Sequence, residues 1–249
     1  PGVPTEPEGA HALLEQGRML AGGEPVRARM LLAMARASQA AGNHARAINE
    51  FQQFLAEYAK ADIVAADKDA ARFGLGEAQL AAGQALPARL TWEDLIRQPK
   101  SKDGDLLARA LFQVSRTYGI PKPPDDTQLN LGVAALRRFL DAYPTHRLAA
   151  QAAHEIGEAY LARGRSQQAL EALRDFLKTS DALKPDTDAA RRELAERRMT
   201  ATFQIAQILQ GQGKFDEAVA AYKGYLAQFP NGPQSADAQR AILDTILQK

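Results

Sequence analysis

The sequence predicts an all-α fold of about five repeated helical hairpins, closed by a capping helix at each end. Three observations predict it. Alanine and leucine, with glutamate, glutamine, arginine and lysine around them, dominate a chain of 249 residues with only 6% aromatics, and these residue types are strong helix formers. A small residue followed by large apolar residues four and seven positions later recurs five times. A glycine stands five residues ahead of four of those five small residues. The chain is long enough to remove most of its apolar surface from water as one large domain or two ordinary ones.

The elements follow in order. "PGVPTEPEG" is proline-rich and reads as a flexible leader over residues 1–8, or as a trimmed start that an export signal once preceded. "GAHALLEQGRML" reads as a short helix that covers the first hairpin. The repeated small residues are Ala47, Ala88, Gly132, Ala169 and Ala218, with Gly42, Gly83, Gly164 and Gly213 ahead of them. Behind them come Phe51, Trp92, Leu136, Leu173 and Tyr222, then Phe54, Leu95, Phe139, Phe176 and Tyr225. Small residue and large partners at these offsets form one stripe of a 3.6-residue helix. The preceding helix carries its own small residue at Ala35, Gly76, Gly157 and Ala206, each behind an apolar Met34, Leu75, Ile156 or Ile205. Small residues there let two antiparallel helices approach closely.

The expected hairpins cover residues 24–60, 64–98, 104–143, 146–180 and 186–229, in a single body over 9–249. In the third, the three prolines of "IPKPPDD" cannot continue a helix, so Ile120 to Asp126 reads as a turn rather than a binding loop, and the second helix starts near Thr127. "SDALKPDTD" is a loop, followed by an unusually long helix to about Gln210. On that helix Arg192 and Glu196, and Glu193 and Arg197, are four apart and can pair. A single closing helix over 233–248 is expected to turn Ile242, Leu243 and Ile246 inward, because stacked repeats need caps at their ends.

This pattern resembles the tetratricopeptide repeat family over roughly residues 24–249. Gly157, Tyr160, Ala169, Leu173 and Phe176 occupy its small, large, alanine and apolar places in the clearest copy, and Pro230 closes the last one. The small residues are 41, 44, 37 and 49 apart, against about 34 in the family, so helices or connections are longer than usual. The resemblance implies a right-handed superhelical solenoid that binds protein or peptide on its concave face, with no catalytic role. The junctions "YPTHRLAAQAAHEIGEAYLARG" and "FPNGPQSADAQRAI" are similar in style to tetratricopeptide proteins of the bacterial cell envelope, such as the barrel-assembly lipoprotein and the Tol-Pal coordinator. That likeness implies a periplasmic or envelope location, with a cytoplasmic one as the alternative.

Chemistry is sparsely written in the chain. A formal net charge of +1 argues for neither nucleic acid nor an anionic membrane. No run approaches the ~18 apolar residues of a membrane span. With no cysteine there is no disulfide, thiolate metal site or cysteine nucleophile. "GQGKF" lacks the spacing and hydroxyl of a phosphate loop, and "FGLGEAQ" opens no strand-to-helix turn. No serine sits in a nucleophile elbow. The histidines 11, 44, 146 and 154 form no H-x-x-x-H pair. His154 with Glu155 and Glu158 could hold a metal weakly, but the edge of an amphipathic helix explains them equally. The expectation is no catalytic residue, no metal and no cofactor.

Function is expected on the first helices. In the family their fifth and ninth places touch the bound peptide. Here the fifth place carries Leu32, Phe73, Phe112, His154 and Phe203, and the ninth carries Arg36, Glu77, Arg116, Glu158 and Gln207. Such a surface could grip a peptide by rings while alternating charges select register. A ring at the fifth place equally suits packing against the neighbouring hairpin. The lysine and asparagine with which chaperone adaptors of the family grip a terminal carboxylate are absent from these places, which disfavours that role. The alternative to a peptide-binding scaffold is a structural module that assembles with its own copies or within a longer envelope protein.

Overall fold

The computed structural model describes residues 7–247. Among the described residues there are twelve α-helices, one 3-10 helix and no strand. Of the leader expected over 1–8, residues 1–6 lie outside the described residues, and Pro7 and Glu8 open the first helix. The chain divides into two compact units, Pro1–Tyr118 and Gly119–Lys249. The first holds α1 (Pro7–Leu20), α2 (Glu24–Ala40), α3 (His44–Glu57), a 3-10 turn (Asp62–Val64), α4 (Ala65–Ala81), α5 (Ala85–Arg97) and α6 (Gly104–Arg116). The second holds α7 (Asp126–Ala142), α8 (Ala149–Ala162), α9 (Ser166–Ser180), α10 (Asp188–Gly211), α11 (Phe215–Gln228) and α12 (Ser235–Leu247).

Within the units, α2 packs on α3, α4 on α5, α8 on α9 and α10 on α11, giving four antiparallel hairpins. Each second helix also packs on the first helix that follows it, and first helices meet in the pairs α2 and α4, α4 and α6, and α8 and α10. The two helices of the third expected copy, α6 and α7, fall in different units.

The repeated residues explain this packing. Gly42, Gly83, Gly164 and Gly213 sit at φ between 67° and 76°, the left-handed region that glycine enters without steric cost, and each makes the tight turn inside a hairpin. Opposite the turns the helices close on the small residues. A Cβ on Gly157 would come within 2.5 Å of Leu173 Cδ2, and one on Gly76 within 2.4 Å of Trp92 Nε1. Trp92 also donates to the Phe73 carbonyl at 3.2 Å. The large residues at the +4 and +7 positions, from Phe51 and Phe54 to Tyr222 and Tyr225, are at most 1% exposed. Burying each one stabilises the fold by roughly 1.5–3 kcal/mol before entropy.

Polar groups tie the connections. The fully buried carboxylate of Asp69 on α4 accepts from the backbone N–H groups of Lys100, at 2.8 Å, and Ser101, at 2.6 Å, and so pins the turn between α5 and α6. In the second unit Arg163 and Arg165, in the α8–α9 turn, both reach Asp126 at the start of α7. The first helix docks through a buried cluster: His11 Nε2 meets Glu50 Oε1 at 2.5 Å, Ser38 donates to Glu50 Oε2 at 2.7 Å, and Arg46 Nη2 meets His11 Nδ1 at 2.8 Å. This fits the covering role expected of that helix.

Two expectations are corrected. On α12 the residues turned inward are Ala238 and Thr245, while Leu243 is 65% and Ile246 55% exposed. The helix docks on α11 by the stripe 238, 241, 242 and 245, in which Ile242 is half-buried, while Leu243 and Ile246 fall on the solvent side of it. On α10 neither Arg192–Glu196 nor Glu193–Arg197 forms an ion pair. Arg197 lies instead across the gap towards α8, close enough for its charge to act on His154.

Candidate protein-binding face

The fifth-place side chains lie mainly in the core. Leu32, Phe73, Phe112 and His154 are 2%, 4%, 4% and 3% exposed, and only Phe203 is half-buried. The hairpins bury these rings against their own second helices: Phe73 against Trp92, His154 against Phe176, and Phe203 against both Tyr222 and Tyr225. Arginines cover what is left. The Arg109 guanidinium lies 4.4 Å above the Phe73 ring, and that of Arg116 lies 4.9 Å above Phe112. The accessible part of the face is therefore charged and amide-bearing.

In the first unit, the ninth-place residues on α2 and α4 interact. Arg36 is exposed and Glu77 is half-buried, and Gln39 donates to Glu77 Oε2 at 3.3 Å. Burial raises the Glu77 carboxyl above its ordinary range, against the Gln39 hydrogen bond and the charges of Arg109 and Arg36. Arg116 stands on the last turn of α6. Acid and base alternate along this face, α2 to α4 to α6.

In the second unit the first-helix face opens into clefts. Between α8 and α10 lies one of about 260 Å³, lined by His154, Glu158, Glu193, Glu196, Arg197 and Thr200. Glu193 and Arg197 also border a neighbouring cleft of about 350 Å³ beneath the α9–α10 loop, where Leu148, Leu183, Pro185 and Leu194 give an apolar wall. Between α10, α11 and α12 a third cleft, of about 480 Å³, is lined by Phe203, Gln207, Tyr222, Asp237, Arg240 and Asp244 among others. Here α12 occupies the place of a first helix and completes the last groove.

His154 is the anomaly of this face. Its ring is almost wholly buried, yet neither nitrogen has a hydrogen-bond partner. The nearest carboxylate oxygen, Glu158 Oε2, is 3.6 Å from Nδ1. Burial and then the nearby Arg197 charge lower its pKa from 6.5 to about 4, so the imidazole is neutral at pH 7. A neutral imidazole offers one donor and one acceptor nitrogen, and the fold satisfies neither. Glu155 is buried as well, its Oε1 accepting from Gln151 at 2.8 Å. Among the described residues no group of three or more histidines and carboxylates is arranged to hold a metal ion, and no helix is long and apolar enough to cross a membrane.

Of the residues that line these clefts, His154, Glu158, Phe203 and Gln207 stand at the fifth and ninth places, whereas Glu193, Glu196, Arg197 and Thr200 lie outside those places. The signal was present. Positions 196, 200, 203 and 207 form one helical stripe, and α10, at 24 residues, is long enough to carry it two turns beyond the family's places.

The fold and this face define a class, the helical-hairpin repeat protein. One tetratricopeptide repeat model matches residues 154–196 and 203–249, and a second, also described as a tetratricopeptide repeat, matches 27–61. Together they span half of the chain, which belongs to the tetratricopeptide repeat family. Solved structures with the same fold include the nearly identical TPR-like repeats of a putative kinesin light chain from Podosopora anserina, at 21% identity and a TM-score of 0.56, covering 84% of this chain and 99% of that one. The apo form of RapI is similar at 11% identity and a TM-score of 0.60, covering 97% and 92%. BtubC (BKLC) from P. vanneervenii is similar at 13% identity and 0.60, covering 91% and 92%. At these identities the likeness speaks for the fold. No curated protein matches the chain.

Proposed function

We propose that this chain is a non-catalytic scaffold that binds a protein or peptide along its first-helix face, the concave face of the family, and that it works in a bacterial cell envelope. The observation that carries the binding reading is the pair of clefts flanking α10, lined by charged and amide side chains, Glu193, Glu196 and Arg197 in one and Gln207, Asp237, Arg240 and Asp244 in the other. Repeat families of this type expose such faces to partners. The candidate contacts are Arg36, Glu77 and Arg116 on one unit, and His154, Glu158, Phe203 and Gln207 on the other. Leu32, Phe73 and Phe112 support them from beneath. Envelope placement rests on the style of the junction sequences alone, and fractionation of the native host tests it.

The test of binding is capture and crosslinking with mass spectrometry, using the chain with Thr200→Arg and Gln207→Arg beside the unaltered chain. Both positions border the clefts without filling the core, so the variant stays folded. Loss of the crosslinked partner supports the reading, and unchanged capture by the folded variant overturns it. A second reading, self-assembly, draws on Leu243 and Ile246, which α12 leaves in solvent. Sedimentation that shifts with concentration, and reverts with Leu243→Glu, would favour it.

A further inference from the structure

We propose that the cleft between α8 and α10 receives a basic side chain, arginine or lysine, from an extended partner segment, with apolar residues of the same segment lying under the α9–α10 loop. The proposal rests on the scaffold reading above and adds the chemistry of the partner.

His154 is the first ground. Four of the five copies place an apolar side chain at this position, Leu32, Phe73, Phe112 and Phe203, and hairpin packing needs nothing else there. The fourth copy buries an imidazole with both nitrogens unpartnered, an arrangement that costs desolvation with no hydrogen bond in return. A phenylalanine would make the same edge contact with Phe176 without that cost. The ring lines the cleft, so its two unsatisfied nitrogens, closed to solvent in the unbound chain, lie in the wall that a guest would meet.

Charge is the second. Three carboxylates, Glu158, Glu193 and Glu196, surround the cleft against one guanidinium, Arg197. The pairing that the sequence offers along α10 does not form, so Glu193 and Glu196 are not neutralised by their own helix. The guest that suits two uncommitted carboxylates and an imidazole acceptor is a cation with several N–H donors. An anion would meet the carboxylates unpaired, which disfavours it strongly. Glu193 and Arg197 line both clefts, and the second has the apolar wall of Leu148, Pro185 and Leu194, so the fitting segment carries apolar residues beside its basic one.

The test is an NMR titration of the whole chain with N-acetyl-arginine amide, N-acetyl-citrulline amide and N-acetyl-glutamate amide, following the His154 ring and the Thr200 amide. The arginine probe is expected to shift both saturably. Citrulline, equal in shape but uncharged, is expected to bind at least about tenfold more weakly, as is arginine to a Glu193→Gln, Glu196→Gln variant. His154→Phe should lose arginine binding while remaining folded. Equal response to arginine and citrulline, preference for the glutamate probe, or no saturable shift overturns the proposal. So do shifts that appear on concentrating the protein alone, which would put a second copy in the cleft. If the doubly substituted chain still crosslinks the same partner, the basic-guest inference fails while the scaffold reading stands. If the unaltered chain crosslinks nothing, the scaffold reading itself fails.

Discussion

Trp92 lies directly against Gly76: a Cβ on the glycine would come within 2.4 Å of the indole Nε1. The ring of α5 fills the space where α4 has no side chain, and Gly74, two residues earlier, accepts Phe51 of α3 in the same way, at 2.5 Å. The "FGLGEAQ" segment is thus a double socket that joins two hairpins. Gly76→Ala forces one of the largest fully buried side chains to move and should cost about 1–3 kcal/mol, as overpacking does. Gly42→Ala meets no atom within 4 Å and is strained only by its φ of 74°, so about 1 kcal/mol is expected there. Urea unfolding of the two variants should give that order.

His154 sets an acid limb on stability. The fold holds its pKa at about 4 rather than 6.5, so below pH 6.5 the unfolded chain takes up a proton that the folded chain refuses. Stability is full above that value and falls as pH drops from 6.5 to 4, by up to about 3 kcal/mol from this group. In His154→Phe that contribution is absent. Denaturation of variant and wild type at pH 7 and pH 4.5 should show the variant gaining relative to the wild type at the lower pH. A constant difference would contradict the burial of a neutral imidazole.

Glu77 works in the opposite sense. Burial raises its carboxyl above the ordinary range, so just above that range the folded chain binds more protons than the unfolded one. Stability from this group falls as pH rises through that window. Glu77→Gln is therefore expected to lose no stability at pH 7, although a hydrogen-bonded carboxylate is removed. Its advantage should vanish in acid. Melting temperatures at pH 4 and pH 7 check the sign.

Asp69 holds two backbone N–H groups that have no other acceptor among the bonds described. Asp69→Ala should cost about 1–3 kcal/mol, since it removes a buried carboxylate that accepts charge-assisted hydrogen bonds from both N–H groups. Hydrogen exchange should quicken first at Lys100 and Ser101.

Much of this fold was legible because its information is periodic. The five small residues and their partners at +4 and +7 locate the second helices, and the turn glycines all adopt the backbone that the reading requires. What escaped depends on stripe choice and three-dimensional proximity. On α12 the more hydrophobic stripe holds Leu243 and Ile246, but Ala238 and Thr245 are the residues that are fully buried. At the fifth places an aromatic ring suits a surface and a core equally in one dimension, and only the covering arginines and the second-helix rings decide for the core. The polar cleft was partly hidden because Glu193 and Glu196 offer helix-internal partners in sequence, while Arg197 turns towards α8. The alternation of Arg36, Glu77 and Arg116 follows from aligning the copies on the family's ninth place.

The central claim is that the first-helix face of the second unit, and not the second-helix face, meets the partner. Photo-crosslinking amino acids placed singly at Thr200 and Gln207 on α10, and at the exposed positions Glu171 on α9 and Lys223 on α11, test it most directly in the native host. One partner protein is expected to be trapped from 200 and 207 and none from 171 or 223. Trapping of the same partner from 171 or 223, with none from 200 and 207, would contradict it.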